Sequence, residues 1–281
     1  MKTIVMINNK GGVGKTNSVT AISHILSQRL NKRVLMVDLD PQMNMTSMFC
    51  DIDFIDLFSN LYNGSMEKAA PSVEDLLMDS GMDVNECILH TKYAGLDMIP
   101  AFLTLSEAEE RLKADVRTPQ QFRLRYHLDK LKDQYDFCII DTSPSVSILN
   151  INGLAAAQEV FVPLRCDGGS LLGATITKNL IETVRTYNPG LRMGGMFFTQ
   201  WNGRKNVSKT VYELMEAAFG ETLLPYTIRV SKDVEESTLA QVPILDYAPR
   251  AAVTGDYIAL ADYIAATDKA ACRAAYVQAK A

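Results

Sequence analysis

The sequence predicts an α/β fold in which a mainly parallel, twisted sheet carries helices on both faces. Short apolar runs of strand length alternate with longer segments of helical periodicity along the chain, an order typical of parallel sheets with crossover helices. Several runs are apolar throughout, as strands buried on both faces are. There is no linker, internal repeat or low-complexity tract apart from an alanine-rich tail after residue 264. We therefore expect residues 1–281 to form a single domain.

The first apolar run, expected as a strand over residues 3–8, leads into a glycine-rich loop and a helix expected over residues 16–30. The loop is Asn9-Lys10-Gly11-Gly12-Val13-Gly14-Lys15-Thr16. Its glycines allow backbone N–H groups to turn inward, and the helix N-terminus adds partial positive charge, which together suit a phosphate. In the pattern G-x-x-x-x-G-K-[ST], Lys15 would reach the β- and γ-phosphates and Thr16 would ligate Mg²⁺. The alternative is a plain glycine turn with two solvated lysines, which the flanking strand and helix disfavour.

Two later apolar runs end in carboxylates. Residues 34–37 lead into Asp38 and Asp40, which face the same side because Leu39 lies between them. Residues 137–140 lead into Asp141, the arrangement of a Walker B aspartate that holds the Mg²⁺ shell. Ligands bind at the carboxyl ends of strands in open α/β sheets, so these motifs predict one site in a P-loop NTPase architecture. Turn-forming or capping aspartates are the alternative for Asp38 and Asp40.

The remaining elements follow from the same patterns. Further strands are expected over 96–101, 160–164 and 193–199. Further helices are expected over 118–133, 171–187, 207–219 and 233–241, and from about residue 254. Residues 47–92 are the least informative part, with a capped short helix expected to start at Ser72.

These motifs resemble the boxes of the ParA/MinD family of P-loop ATPases. The loop resembles the family's K-G-G-x-G-K-[ST] box, although Asn9 stands at the first glycine of the general P-loop pattern. Residues 38–46 resemble D-x-D-P-Q-G-N-x-T, with Met43 in place of the glycine of the local turn. Residues 141–144 resemble D-T-P-P, with Ser143 in place of the first proline. Weaker matches continue to residue 257, so the resemblance covers nearly the whole chain.

The resemblance implies a role for each site residue. The catalytic residues would be Lys10, which reaches the ATP of a partner subunit, Lys15, and Asp40, which orients or activates the attacking water. The metal site would comprise Thr16, Asp38 and Asp141. Nucleotide contacts are expected from Lys10, Gly11, Gly12, Val13, Gly14, Lys15, Thr16 and Asn17, and near the adenine from Trp201 and Asn202. A packing role is the alternative for Trp201.

The function that the resemblance implies is a Soj-like partition ATPase. It would use ATP and Mg²⁺, form an ATP-dependent homodimer, bind DNA non-specifically as that dimer, and hydrolyse ATP slowly until a ParB-like centromere-binding protein stimulates it. Because the loop begins at residue 9, we expect the short form without an N-terminal helix-turn-helix domain. We expect it in the cytoplasm, associated with the nucleoid and not with a membrane.

DNA binding has to overcome a net charge of −5. Positive side chains would have to gather on one face, and dimerisation would double them. The candidates are Arg204, Lys205 and Lys209, together with Lys232 and Arg250. Solvated surface charge is the alternative for each.

Three other functions are weighed against partition. A MinD-like, membrane-associated positioning ATPase would end in an amphipathic helix with large apolar residues, whereas residues 269–281 are rich in alanine and would bury little area. An iron–sulfur reductase needs a cysteine soon after the Walker B strand, and residues 142–152 contain none. A regulatory binder without hydrolysis is disfavoured because Lys10, Lys15, Asp40 and Asp141 are all retained.

Cysteine usage and hydropathy limit the compartment. The five cysteines are scattered without a C-x-x-C pair, so neither a disulfide framework nor a zinc site is indicated. No apolar run approaches the length of a membrane span, and the N-terminus leaves no room for a signal peptide. A reducing cytoplasm is the simplest compartment.

Overall fold

The computed structural model describes residues 1–50, 62–63, 68, 70–115 and 118–280. Within this part of the chain eight strands form one sheet. They are β1 (Lys2–Met6), β2 (Val34–Leu39), β3 (Leu89–His90), β4 (Leu96–Ile99), β5 (Phe137–Thr142), β6 (Glu159–Leu164), β7 (Arg192–Trp201) and β8 (Leu223–Arg229). Their order is β3-β4-β2-β5-β1-β6-β7-β8. Every pairing is parallel except that of β3 with β4.

Twelve α-helices occur in the described ranges. They are α1 (Lys15–Gln28), α2 (Asn44–Phe49), α3 (Val73–Met78), α4 (Leu105–Ala114), α5 (Arg123–Leu128), α6 (Ile148–Ala156), α7 (Ser170–Arg185), α8 (Asn206–Phe219), α9 (Lys232–Leu239), α10 (Ile244–Tyr247), α11 (Ala252–Ala265) and α12 (Lys269–Lys280). Short 3₁₀ turns cover Val84–Cys87, Gln120–Phe122, Asp129–Leu131 and Gly220–Thr222.

The sheet has a hydrophobic core on each face, as the fully apolar strands predict. On β1, Val5 belongs to one core, which includes residues of α3 to α8, and Ile4 to the other, which includes residues of α1 and α11. Successive side chains of a strand point to opposite faces, so one strand supplies both cores. The predicted α/β class with helices on both faces is confirmed.

The helix expected over residues 118–133 is broken into a 3₁₀ turn, α5 and a second 3₁₀ turn. The Asn152 side chain of α6 explains the first break. It accepts a hydrogen bond from Leu124 N (3.2 Å) and donates one to Gln120 O (2.9 Å). Backbone groups at the start of α5 are therefore bonded to α6 instead of extending the helix backwards. Part of the stretch 47–92 lies outside the described residues; within it, α3 begins at the expected cap, where Ser72 N donates to Asp75 Oδ2 (2.9 Å).

The alanine-rich tail forms α12, which packs on the domain through its few large side chains. Arg273 donates to the carbonyls of Glu221 (2.6 Å) and Leu223 (3.1 Å) beside β8. Lys269 forms an ion pair with Glu159 (2.5 Å), and the ring of Tyr276 lies 4.2 Å from that of Tyr226. The anchoring groups of this helix thus face the protein. No helix in the described ranges is both long and apolar enough to span a bilayer.

Candidate nucleotide-binding site

The glycine-rich loop joins β1 to α1 in a conformation that only some residues adopt readily. Gly12 has φ 67° and Gly14 has φ 76°, both in the left-handed region where a Cβ is strained. α1 then begins at Lys15, one residue before the expected start. The loop therefore lies at a helix N-terminus at the carboxyl edge of the sheet, as the motif predicts.

Two side chains at the end of β7 hold this loop from the side. Thr199 Oγ1 donates to Val13 O (2.8 Å), and Gln200 Nε2 donates to Gly12 O (2.9 Å). Gln200 itself has a left-handed φ of 49°. A strand is predicted over 193–199, but the sequence pattern does not indicate that Thr199 and Gln200 contact the loop. Both residues lie at the carboxyl end of β7, which is separated from β1 in the sheet only by β6. That position is the signal that could have indicated this role.

A cavity of about 410 Å³ opens beside the loop. This size suits a nucleotide, although larger cavities elsewhere in the described chain show that size alone does not identify the site. The lining combines loop residues with residues at the carboxyl ends of β2, β5 and β7 and with Thr238 of α9. It comprises Gly11, Gly12, Val13, Gly14, Lys15, Thr16, Asn17, Asp40, Gln42, Asn44, Met48, Pro144, Gln200 and Thr238. Every predicted loop contact except Lys10 thus faces one cavity, and Asp40 joins it.

Asp38 is buried, and both of its carboxylate oxygens accept hydrogen bonds from the protein. Oδ1 accepts from Asp40 N (3.0 Å), and Oδ2 accepts from the backbone N (3.0 Å) and hydroxyl (2.8 Å) of Thr46. Burial raises its pKa to about 6 against these hydrogen bonds. Met43, at the family's glycine position, adopts the left-handed φ of 57°, so the turn is kept. Asp38 therefore fixes the segment that carries Asp40, and its metal role stays a prediction.

Asp40 is nearly buried, but only one of its two carboxylate oxygens accepts a hydrogen bond from a described residue. Its Oδ1 accepts from Gln42 N (3.0 Å). No described donor bonds to its other oxygen, and the residue lines the cavity. A carboxylate oxygen free at the cavity wall can hold a water molecule there, which is the role expected for Asp40.

Asp141 is the last residue but one of β5 and lies directly opposite Asp38 in the register of the two strands. It is fully buried, and neither carboxylate oxygen has a hydrogen bond of ordinary geometry with a described residue, although the Thr16 side chain lies near enough to act on the carboxylate. Burial, and then the charge of Asp38, raise its pKa to about 8, whereas Thr16 and Lys15 act in the opposite direction. A buried carboxylate that lies beside a P-loop threonine and has no hydrogen bond of ordinary geometry suits a divalent cation. No cluster of three or more acidic, histidine or cysteine ligands occurs in the described ranges.

The two lysines of the loop point to different partners. Lys15 is 6% exposed, and its Nζ donates to Lys10 O (3.3 Å). The pKa of Lys15 lies below its ordinary value because the effect of burial exceeds the opposing effect of the Asp141 and Asp40 charges. Lys10 lies outside the cavity lining and forms an ion pair with Asp167. Lys15 is therefore placed for phosphates in its own cavity, whereas Lys10 is held at the surface.

Comparison with known proteins decides the family. The model of the AAA domain family matches residues 1–193. The chromosome-partitioning ATPase Soj of Treponema pallidum is 34% identical over 272 residues, which cover 95% of this chain and 98% of the relative. The chromosome partitioning protein ParA of Caulobacter vibrioides is 31% identical, covering 93% of this chain and 92% of the relative.

The chain belongs to the ParA/MinD family of P-loop ATPases.

Solved structures support the same architecture. Cobyrinic acid a,c-diamide synthase from Mycobacterium smegmatis, with bound ATP analogue and magnesium, is 28% identical with a TM-score of 0.75, and the match covers 94% of each chain. McdA of Cyanothece has a TM-score of 0.77 at 20% identity, covering 93% of this chain and 99% of that chain, and shares the fold. The predicted ATPase class and P-loop architecture are confirmed.

Trp201 and Asn202, which the family resemblance places near the adenine, line a neighbouring cavity of about 570 Å³ and not the P-loop cavity. Trp201 packs against the rings of Phe198 (5.5 Å) and Tyr212 (5.9 Å), which are contacts that the packing alternative would produce. Gln200 and Thr238 stand in the P-loop cavity instead. The adenine contact stays a prediction.

The basic residues predicted for DNA are all exposed. Arg204 shares the second cavity with Arg229 and Lys280, which the sequence analysis missed. Arg229 is bound in a bidentate pair by Asp256 (2.7 and 2.8 Å). Among the predicted residues, Lys232 forms an ion pair with Glu236 (3.3 Å), which reduces its net contribution to a positive surface. No described acidic side chain pairs with Arg204, Lys205, Lys209 or Arg250.

Proposed function

We propose that this ATPase binds ATP with Mg²⁺ in the P-loop cavity, and that ATP-dependent dimers of it bind DNA and partition it. The observation that carries the proposal is the placement of two carboxylates at the ends of adjacent strands. Asp40 faces the loop's cavity with an oxygen that accepts no hydrogen bond from a described residue, and Asp141 lies buried close to Lys15 and Thr16. This is the arrangement that phosphoryl transfer requires of the protein.

Each residue then has a distinct task. The N–H groups of residues 11–16 and the Lys15 ammonium bind phosphate oxygens, and Thr16 with Asp141 holds the cation. Bound Mg²⁺ supplies positive charge that neutralises the phosphates. Asp38 positions the Asp40 segment, and the free Asp40 oxygen orients the attacking water and accepts its proton. Cobyrinic acid a,c-diamide synthase, solved with bound ATP analogue and magnesium, supports the choice of ATP and Mg²⁺ as the ligands.

A homodimer is supported by exposed apolar side chains around Lys10. Val146, Leu171, Leu172 and Ile176 are all exposed at the carboxyl edge of the sheet or on the first turns of α7. α7 adjoins Lys10, since a Cβ on Gly173 would lie 4.0 Å from the Lys10 Cβ. Exposed apolar groups beside a functional site mark interaction surfaces. Pairing through this edge would bring Lys10 to the nucleotide of a second copy.

The DNA and partner roles rest on the relatives named for chromosome partitioning. Arg204, Lys205 and Lys209, with smaller contributions from Lys232 and Arg250, would bind phosphates non-specifically, and a ParB-like protein would stimulate hydrolysis. The protein would then reside on the nucleoid in the cytoplasm. The MinD-like alternative loses support because α12 uses Lys269, Arg273 and Tyr276 to bind its own domain.

The experiment that tests this function measures phosphate release and retention of mixed-sequence duplex DNA in ATP and in ADP. Phosphate release together with ATP-specific DNA retention is expected. DNA retention that is equal in ADP would contradict partition, and binding to anionic vesicles in ATP without DNA retention would favour the membrane alternative.

A further inference from the structure

Arg165 lies beside the phosphate loop although no sequence motif includes it. It follows β6 directly, at the same carboxyl edge as the loop. Its Nη1 lies 3.6 Å from the position that a Cβ on Gly12 would occupy. The Arg165 carbonyl accepts from Asp167 N (3.1 Å) and from the Ser170 hydroxyl, so its backbone is fixed. The backbone from which the side chain extends is thereby held beside the loop, at the border of the P-loop cavity and outside its lining.

The guanidinium of Arg165 lacks a neutralising partner. It forms no ion pair or hydrogen bond with any described residue, and its side chain is exposed. The carboxylate nearest in sequence, Asp167, forms an ion pair with Lys10 instead, and the same oxygen, Oδ1, accepts from Gly169 N (3.1 Å) and the Ser170 hydroxyl (3.1 Å). An unpaired guanidinium next to an anion cradle is available to an anion that the cradle binds.

The position of Arg165 corresponds to the end of the cradle where terminal phosphates lie. Lys15, which reaches the β- and γ-phosphates in such loops, has its Nζ 3.3 Å from Lys10 O. Residues 10–12 therefore border the β/γ end, and Arg165 stands over Gly12. The absence of a side chain on Gly12 leaves the space between the guanidinium and the loop open.

We propose that Arg165 is a phosphate contact of this site, and that it binds the terminal phosphate of ATP within its own subunit. The proposal rests on the nucleotide site of the proposed function and extends it with a residue that distinguishes ATP from ADP. The planar fork of an arginine can bind two phosphate oxygens at once, which a lysine cannot do.

The test measures equilibrium binding of a non-hydrolysable ATP analogue and of ADP, each with Mg²⁺, to the full chain at concentrations where ultracentrifugation shows monomer. Arg165→Gln should weaken analogue binding about ten-fold, equivalent to about 1.4 kcal/mol, and ADP binding by less than about three-fold. The analogue affinity of Arg165→Lys should lie between those of the unsubstituted protein and Arg165→Gln. Arg192→Gln, which alters an exposed arginine at the opposite end of the sheet, is the matched control and should change neither. Circular dichroism should show each variant folded.

Unchanged analogue binding by Arg165→Gln, or equal losses for the analogue and ADP, would overturn the proposal. Binding measurements on Lys15→Ala distinguish failure of the Arg165 proposal from failure of the nucleotide site itself. If Lys15→Ala abolishes both affinities while Arg165→Gln binds normally, only the Arg165 contact is wrong. If Lys15→Ala binds both nucleotides normally, the site itself is wrong and the contact falls with it.

Discussion

Lys10 and Asp167 form an ion pair that keeps the signature lysine on its own subunit. Asp167 is itself oriented by Gly169 N and the Ser170 hydroxyl, each at 3.1 Å. Burial raises the pKa of Asp167, but Lys10 and these donors outweigh it, so the pKa lies below the ordinary value. A lysine that must reach a second copy has to leave this carboxylate first. The pair therefore competes with the proposed dimer.

Asp167→Asn should strengthen dimerisation in ATP. Asparagine keeps an oxygen for Gly169 N and Ser170 but removes the charge that holds Lys10. Because the two side chains are 33% and 35% exposed, solvent screens the pair, and the gain should be modest, about two- to five-fold in the dimer dissociation constant. Sedimentation equilibrium with a non-hydrolysable analogue measures it. Asp136→Asn, which breaks a remote surface pair with Arg33, is the control, and weaker dimers in Asp167→Asn would contradict the competition.

Lys15→Ala should abolish nucleotide binding. The Lys15 ammonium is nearly buried and projects into the loop, and no other described lysine lines the cavity, so nothing replaces its phosphate contact. Titration with a fluorescent nucleotide measures the loss, which should exceed about 100-fold. Lys32→Ala, an exposed lysine after the far end of α1, should bind normally. Normal affinity in Lys15→Ala would show that the cavity is not the site.

Asp40→Ala should separate binding from hydrolysis. Its free oxygen is proposed to act on water and not on the phosphates, so ATP should still bind and dimers should accumulate. Phosphate release should fall by at least about 100-fold. Size-exclusion chromatography in ATP, run beside a phosphate-release assay, distinguishes the outcomes. A strictly monomeric variant, or one with full activity, would contradict the assigned role.

Asp141→Asn should stabilise the nucleotide-free protein while it removes Mg²⁺-dependent binding. A carboxyl whose pKa is about 8 when folded, against about 4 when unfolded, holds its proton more tightly in the folded state. The free energy of unfolding of the unsubstituted protein therefore falls as pH rises between these values. The asparagine of the Asp141→Asn variant does not titrate, so the variant does not lose this stability. Thermal unfolding should show a higher melting temperature for Asp141→Asn at pH 8.5 and a smaller difference at pH 5. A lower melting temperature at pH 8.5 would contradict the unpaired burial of Asp141.

Sequence alone was enough for the parts of the site that are local in the chain. The loop and Asp40 directly follow apolar strands, and Asp141 lies within one. The apolar pattern of these strands therefore predicted that all three lie at the carboxyl edge of the sheet. Contacts between distant segments did not follow, because no local pattern encodes them. Lys10 and Asp167 are 157 residues apart, and Gln200 and Gly12 are 188 apart; only the strand order β1-β6-β7 brings them together. The docking of α12 was missed for the same reason, since its anchors are single residues among alanines.

DNA binding should depend on ATP and on the charges of Arg204 and Lys205. Both are exposed in the turn between β7 and α8, and a net charge of −5 requires that such groups be gathered and doubled in a dimer. Binding should weaken steeply with salt because phosphate contacts release counterions. The logarithm of the DNA association constant should fall by about 0.9 per phosphate contact for each ten-fold rise in salt concentration. Retention of mixed-sequence duplex is measured against salt, in ATP and in ADP. Arg204→Ala with Lys205→Ala should lower both affinity and salt slope, whereas Lys232→Ala should matter less because Glu236 already pairs with Lys232. Equal binding in ADP, or none in ATP at low salt, would remove the DNA role from the proposed function.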